Sequence, residues 1–118
     1  MPSEFRRLQV WQRSKTLAVA IYHLTGAAPI KSDFGLRDQM RRSAVSICSN
    51  IAEGAARQTD KETAQFLFVA KGSLAELSAQ IEIAAEVHDL PKDEIQCLLR
   101  ECDEIGAMLH ALIDHRRK

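Results

Sequence analysis

Four histidines, three cysteines and sixteen carboxylates are the groups with which this 118-residue chain could bind metal or move protons. Their spacing decides what they can do. A di-iron centre in a helical bundle needs Glu-x-x-His, because positions i and i+3 project two ligands inward together. None of the nine glutamates has a histidine three residues on, and His-x-x-x-His and Cys-x-x-Cys, the common zinc spacings, are absent too. His110 and Asp114 make an i,i+4 pair with no third ligand evident, and Glu86, His88 and Asp89 cluster at the end of a helix without a metal-site spacing. Solvated polar groups at helix ends account for both. Neither Gly72-Ser73 nor Gly54 follows a strand as a phosphate-cradling loop requires, and no sharp turn presents a serine as nucleophile. No catalytic residue, cofactor or metal is expected, and the chain does not read as an enzyme.

Arginine is the residue type whose placement carries information. The formal net charge is zero, sixteen basic against sixteen acidic residues, which excludes a uniformly polybasic nucleic-acid binder. The distribution is uneven. Residues 1–58 hold nine basic and four acidic side chains, residues 59–115 hold four and twelve, and Arg116, Arg117 and Lys118 close the chain. A neutral protein divided this way can still carry a basic surface. Arg6, Arg7 and Arg13 crowd the first helical segment, and Arg37 and Arg41 fall one turn apart on the next, so these five are the candidate phosphate contacts for RNA or DNA. Pairing of the basic half with the acidic half would remove that surface.

These residues are positioned by helices. Leu8, Trp11, Ser14, Leu17, Ala18, Ile21 and Leu24 recur at steps of three and four, and Gly26 then Pro29 supply a stop through a left-handed cap. Ser32 or Asp33 can cap a second helix with Leu36, Met40, Ser43, Ala44, Ile47 and Ile51 inward and Gly54 in its last turn. Thr59 and Glu62 have capping-box spacing ahead of a long third helix whose inward stripe is Phe66, Ala70, Ser73, Leu74, Leu77, Ile81 and Ala84. Pro91 opens a fourth, with a seam of Ile95, Leu98, Cys102, Ile105, Leu109 and Leu112. No segment alternates with period two, so the fold class is all-α. Short connections make it one domain over residues 1–118, an antiparallel up-down-up-down four-helix bundle.

Two helix faces exceed what a monomer needs. Beyond its core stripe the third helix carries Phe68, Gly72, Ala75, Ala79 and Ile83, and a helix that is apolar on two sides usually has two partners. These residues are the expected oligomer interface. The second helix carries a polar stripe, Arg42, Ser46, Asn50, Glu53 and Arg57, in which Glu53 can pair with Arg57 or Arg42. The cysteines, Cys48, Cys97 and Cys102, are odd in number and read as small buried hydrophobes. Cys97 and Cys102 lie about 140° apart around a helix, too far to bridge. Reduced thiols and an N-terminus without an apolar leader run suit a cytoplasmic protein. Residues 16–30 are free of Asp, Glu, Lys and Arg, but that is too short to span a membrane.

The runs Leu8-Gln9-Val10-Trp11-Gln12, Ile21-Tyr22-His23-Leu24-Thr25, Phe34-Gly35-Leu36, Gln39 to Ile47, Ser49-Asn50-Ile51-Ala52-Glu53-Gly54, Phe66-Leu67 and Gly72 to Leu77 resemble the bacterial four-helix-bundle family also called the 23S rRNA intervening-sequence proteins. The resemblance runs from about Phe5 into the fourth helix, and Ser-Asn-Ile-Ala-Glu-Gly is its most specific block. It implies an up-down-up-down bundle assembled as a homopentamer, mostly without assigned activity, and related to the accessory protein of diversity-generating retroelements, which works with a reverse transcriptase and its RNA. Arg41, Arg42, Ser46, Asn50, Glu53, Gly54, Arg57 and Ser73 match the family pattern, whereas Cys48 stands where the family commonly has proline. The expected function is a non-enzymatic homo-oligomer with RNA or DNA as partner. The alternative is an assembly module for a protein partner with no nucleic-acid affinity.

Overall fold

The computed structural model describes residues 4–117. Lys118 and the first three residues, which enter the charge distribution and the leader expectation, lie outside the described residues. Four α-helices follow one another: α1 Gln9–Thr25, α2 Phe34–Ala55, α3 Asp60–Val87 and α4 Lys92–Arg117, with single 3-10 turns at Glu4–Arg7 and Ile30–Ser32. No strand occurs among the described residues. Helices adjacent in sequence are adjacent in space, and α1 closes the ring against α4 through a thinner contact. A 28-residue α3 is about 42 Å long at 1.5 Å per residue. That length sets the long axis of a body measuring 44 × 26 × 21 Å.

Local chemistry starts and stops the helices. Asp33 caps α2, its Oδ1 accepting the Leu36 N–H at 3.4 Å. Thr59 caps α3 by accepting the Glu62 N–H at 3.2 Å, but only half of the reciprocal box forms, because the Glu62 carboxylate takes the Thr59 hydroxyl at 2.8 Å instead of a backbone N–H. The left-handed cap expected at Gly26 does not occur. Gly26 sits at φ −86° with its N–H on the Tyr22 carbonyl, and a Cβ there would stand 3.0 Å from that same oxygen. The left-handed residue is Asp89, at φ 50°. It turns the chain so that the Leu90 N–H reaches the Ala85 carbonyl at 3.0 Å and the Leu90 side chain is buried.

The core is aliphatic. Leu17, Ile21, Ile30, Met40, Ile47, Ile51, Leu67, Leu77, Ile81, Ile105, Leu109 and Ile113 are its largest fully buried side chains, and no aromatic ring is among them. The expected stripes hold, with Leu36 and Leu98 half-buried at their margins and three corrections. Val10 and Thr25 are buried on α1 while Leu8, Trp11 and Leu24 are only half-buried; Leu67 takes the core position expected of Phe66; and Ile113 replaces Leu112 at the end of α4. The last change follows from helix geometry, since a strict seven-residue repeat drifts by about 20° per heptad on a straight helix. α2 runs unbroken through Cys48. Cys97 is exposed rather than buried, while Cys48 is half-buried and Cys102 buried. Burial pushes the Cys48 thiol up to about 11.

The most extensive contact is between α2 and α3, where small residues meet: Gly54 lies against Thr63, and Ser46 against Ser73. Its tight end is Gly54. The Thr63 hydroxyl donates to the Gly54 carbonyl at 2.8 Å in a buried bond. A Cβ on Gly54 would lie 3.1 Å from the Phe66 Cβ and 3.2 Å from the Thr63 carbonyl. Neither neighbour is the free end of a flexible side chain. Alanine gains about 1 kcal/mol over glycine in a helix, but overpacking costs about 1–3 kcal/mol. Gly54→Ala is therefore expected to lose about 1 kcal/mol in urea unfolding, and a gain in stability would show that the contact can relax.

Candidate functional site

The chain has six aromatic residues, and each carries a cation over its ring. Arg6 lies over Phe5 at 4.6 Å, Lys15 over Trp11 at 5.7 Å, Arg41 over Tyr22 at 4.6 Å and Arg37 over Phe34 at 4.8 Å. Arg57 lies over Phe66 at 4.6 Å and Arg117 over Phe68 at 5.7 Å. A chain of this length would ordinarily hold about one or two such pairs. The aliphatic core leaves the rings at the surface, where a ring's negative face attracts the cations that the basic half supplies.

The five candidate phosphate contacts do not form one patch. Arg13 leans toward α4, where it binds Glu101 through Nε and Nη2 at 2.8 and 2.7 Å and Glu104 through Nη2 at 2.7 Å. Hydrogen bonds to Glu101, then to Glu104, hold its guanidinium firmly charged and occupied. Arg41 closes the end of α1, donating to Thr25 Oγ1 at 2.8 Å and to the Tyr22 carbonyl at 3.5 Å. Arg37 reaches the adjacent Asp38 at 3.0 Å and the Lys31 carbonyl at 3.3 Å. Arg6 and Arg7 are exposed in the turn before α1. Among the described residues, Arg13 is the one arginine of the first 58 bonded to a carboxylate beyond residue 58.

The polar stripe of α2 closes on its own chain. Ser46 and Ser73 share a hydrogen bond at 2.8 Å across the α2–α3 contact, and the Asn50 amide donates to the Ser46 carbonyl at 2.8 Å and hydroxyl at 3.1 Å. Arg57 pairs with Glu53 one turn back. Arg42 is exposed and pairs with no carboxylate among the described residues. Next to this stripe lies the second face of α3, with Phe68, Gly72, Ala75, Ala79 and Ile83 all exposed. Two features of these surfaces lie outside the sequence expectation, the exposed rings of Tyr22 and Phe34, while Ser73 is buried as its inward stripe implies and finds Ser46 as its partner. A signal for the rings was present, since Tyr22 and Phe34 fall off the inward stripes beside basic residues.

His88 and Asp33 join the far ends of α3 and α2, the His88 Nε2–H donating to Asp33 Oδ2 at 2.9 Å. His110 approaches Asp114 at 3.4 Å on the exposed side of α4. Among the described residues no three His, Cys, Asp or Glu side chains converge as metal ligands, and no helix is long and apolar enough to cross a membrane. The grooves are open and shallow, one of about 570 Å³ lying between the start of α3 and the end of α4.

The arrangement defines an antiparallel four-helix bundle whose distinctive side chains lie on its outer faces rather than in a central cavity. The chain belongs to the 23S rRNA-intervening sequence protein family, whose model matches residues 6–111. A solved structure with the same fold is that of a protein of unknown function from the S23 ribosomal protein family of Bacteroides thetaiotaomicron. It superimposes with a TM-score of 0.81 at 24% identity, covering 88% of this chain and 97% of that one. Among curated proteins there is no significant match.

The His88–Asp33 bond gives the fold a defined acid response. The hydrogen bond from His88, and then that from the Leu36 N–H, hold the Asp33 carboxyl below the ordinary carboxylate value. A carboxyl depressed in the folded state adds stability above its unfolded value, about 3.9, and loses it as pH falls through the folded value. Asp33→Asn keeps a cap for α2 but has no carboxylate to protonate. The variant should lose less stability than the parent between neutral pH and pH below about 4 in pH-dependent thermal melts. Parallel acid limbs would show that the bond carries no linkage.

Proposed function

We propose that the protein is a non-catalytic module that assembles with copies of itself through the outer face of α3. The observation that carries this is the exposure of that apolar face, with Phe68 47% and Ile83 54% exposed at its ends and only small residues between them. Gly72 supports it further. A methyl there would meet nothing within 4 Å, so no contact inside the chain uses the missing side chain, although glycine within a helix costs about 1 kcal/mol relative to alanine. A neighbouring backbone would use it. The family resemblance favours five copies in a ring, and three free thiols suit a cytoplasmic setting.

RNA or DNA as partner is the second reading, favoured by the ion pairing. Apart from Arg13, the arginines of the basic half leave the acidic half alone, so their charge is not cancelled across the bundle. A protein partner without nucleic-acid affinity is the competing reading, and it predicts no steep loss of binding with salt.

Light scattering at micromolar concentration tests the assembly. A multiple of the chain mass is expected for the parent, and a folded monomer for Phe68→Asp. Gly72→Ala should raise the thermal stability of that monomeric background by about 1 kcal/mol while weakening assembly in the parent. A parent that is monomeric at micromolar concentration rules out the α3 face as a contact.

A further inference from the structure

Helix α1 contains no Asp or Glu. On the flank that it turns toward α2 it carries Trp11, Lys15, Val19 and Tyr22 at steps of four, four and three, and α2 answers with Phe34, Arg37, Arg41 and Val45 at three, four and four. Each ring in this set has its own cation: Lys15 on Trp11, Arg41 on Tyr22 and Arg37 on Phe34. Arg41 ties the two helices together, because it lies over the Tyr22 ring of α1 and donates to Thr25 beside it. The strip is open. Tyr22 is 44% exposed, Phe34 62%, Val19 48% and Val45 42%. Two shallow grooves follow it, one of about 350 Å³ along Trp11, Lys15 and Val19 and one of about 480 Å³ along Tyr22, Arg41, Arg42 and Val45.

The dimensions match an extended chain more closely than a compact ligand. Trp11 and Tyr22 are eleven residues apart, about 16 Å along α1, and Arg41, which lies over Tyr22, is seven residues or about 10 Å from Phe34 along α2. Three rings and three cations without a carboxylate partner, Lys15, Arg41 and Arg42, therefore share about 25 Å. The one carboxylate lining the grooves, Asp38, is already bonded to Arg37. Bases stack on aromatic rings and on guanidinium planes whatever their sequence, and the interleaved cations neutralise the phosphates between them. A duplex hides its bases and would use only the cations.

We propose that the outer α1–α2 strip is a track for single-stranded nucleic acid, with Trp11, Tyr22 and Phe34 as its stacking surfaces and Lys15, Arg41 and Arg42 as its phosphate contacts. The proposal rests on the nucleic-acid reading above and adds what that reading leaves open: the strandedness of the partner and the residues that sense it. A partner helix docking on Val19 and Val45 would need no alternation of ring and cation.

The test uses the full chain with a fluorescent oligouridylate of about 12 nucleotides and an RNA duplex of similar length, read by anisotropy at about 50 and 200 mM salt. The single strand should bind more tightly than the duplex. Phe34→Ala, at an exposed site where folding is checked by circular dichroism, should weaken the single strand about tenfold and leave the duplex unchanged. Val45→Asp, which sets a carboxylate in the strip, should weaken the single strand as well. Equal binding of both forms, insensitive to Phe34→Ala, overturns the stacking track and leaves the nucleic-acid reading standing. Binding of neither form at low salt ends both. Loss of self-association in Val45→Asp without nucleic-acid binding assigns the strip to a second copy of the chain and overturns the proposal.

Discussion

The approach of α2 to α3 is the constraint on which the rest of this bundle depends. Two helices come close only where side chains are small, and here Gly54 meets Thr63 and Ser46 meets Ser73, with a buried hydrogen bond from Thr63 to the Gly54 carbonyl fixing the tight end. A core thinned along one side is filled by Leu, Ile and Met on the others, and no aromatic ring is fully buried. The rings must then lie at the surface. There each of the six meets a cation, and one such pair, Arg57 over Phe66, lies beside the tight end of α2 and α3.

The same contact bears on the two outer faces. Ser46 and Ser73 meet across it, so the polar stripe of α2 is tied to the inward stripe of α3, while the apolar second face of α3 stays outside. Along the polar stripe Asn50 is satisfied by Ser46 and Arg57 by Glu53, while Arg42 stays exposed without a carboxylate partner among the described residues. The apolar groups are not covered by their own chain. Phe68, Val69, Ile83 and Val87 remain about half or more exposed along α3. A helix whose polar neighbours are largely self-contained can approach a second copy with little buried charge left unpaired, a condition that contacts between charged surfaces often fail.

Much of the fold was legible in the sequence because it rests on period and punctuation. The inward stripes of α2 and α3, the caps at Asp33 and Thr59 and the start of α4 after Pro91 depend on local spacing, which a sequence displays directly. What depends on three-dimensional pairing was not legible. Gly26 and Asp89 are both helix stops, yet the left-handed conformation fell to Asp89, because the chain reverses there to bury Leu90 while at Gly26 it continues toward the buried Ile30. For the candidate site, the split in charge was visible but its outcome was not. Arg13 and Arg41 look alike in sequence; only the bundle puts Glu101 and Glu104 beside one and a tyrosine ring beside the other.

That difference bears on what a net charge of zero means. A guanidinium bound by a carboxylate has lost its charge to any distant partner, whereas one held by a ring face, a hydroxyl or a backbone carbonyl is fixed in place with its charge intact. Arg13 is of the first kind, and Arg41 of the second. Ordering a long side chain usually consumes part of the gain from any contact it makes. An arginine already ordered against a ring avoids that cost when a phosphate arrives. Arg41 therefore keeps its charge, whereas Arg37 and Arg57, which also lie over rings, share theirs with Asp38 and Glu53, so the carboxylate within reach rather than the charge total decides which cations stay available.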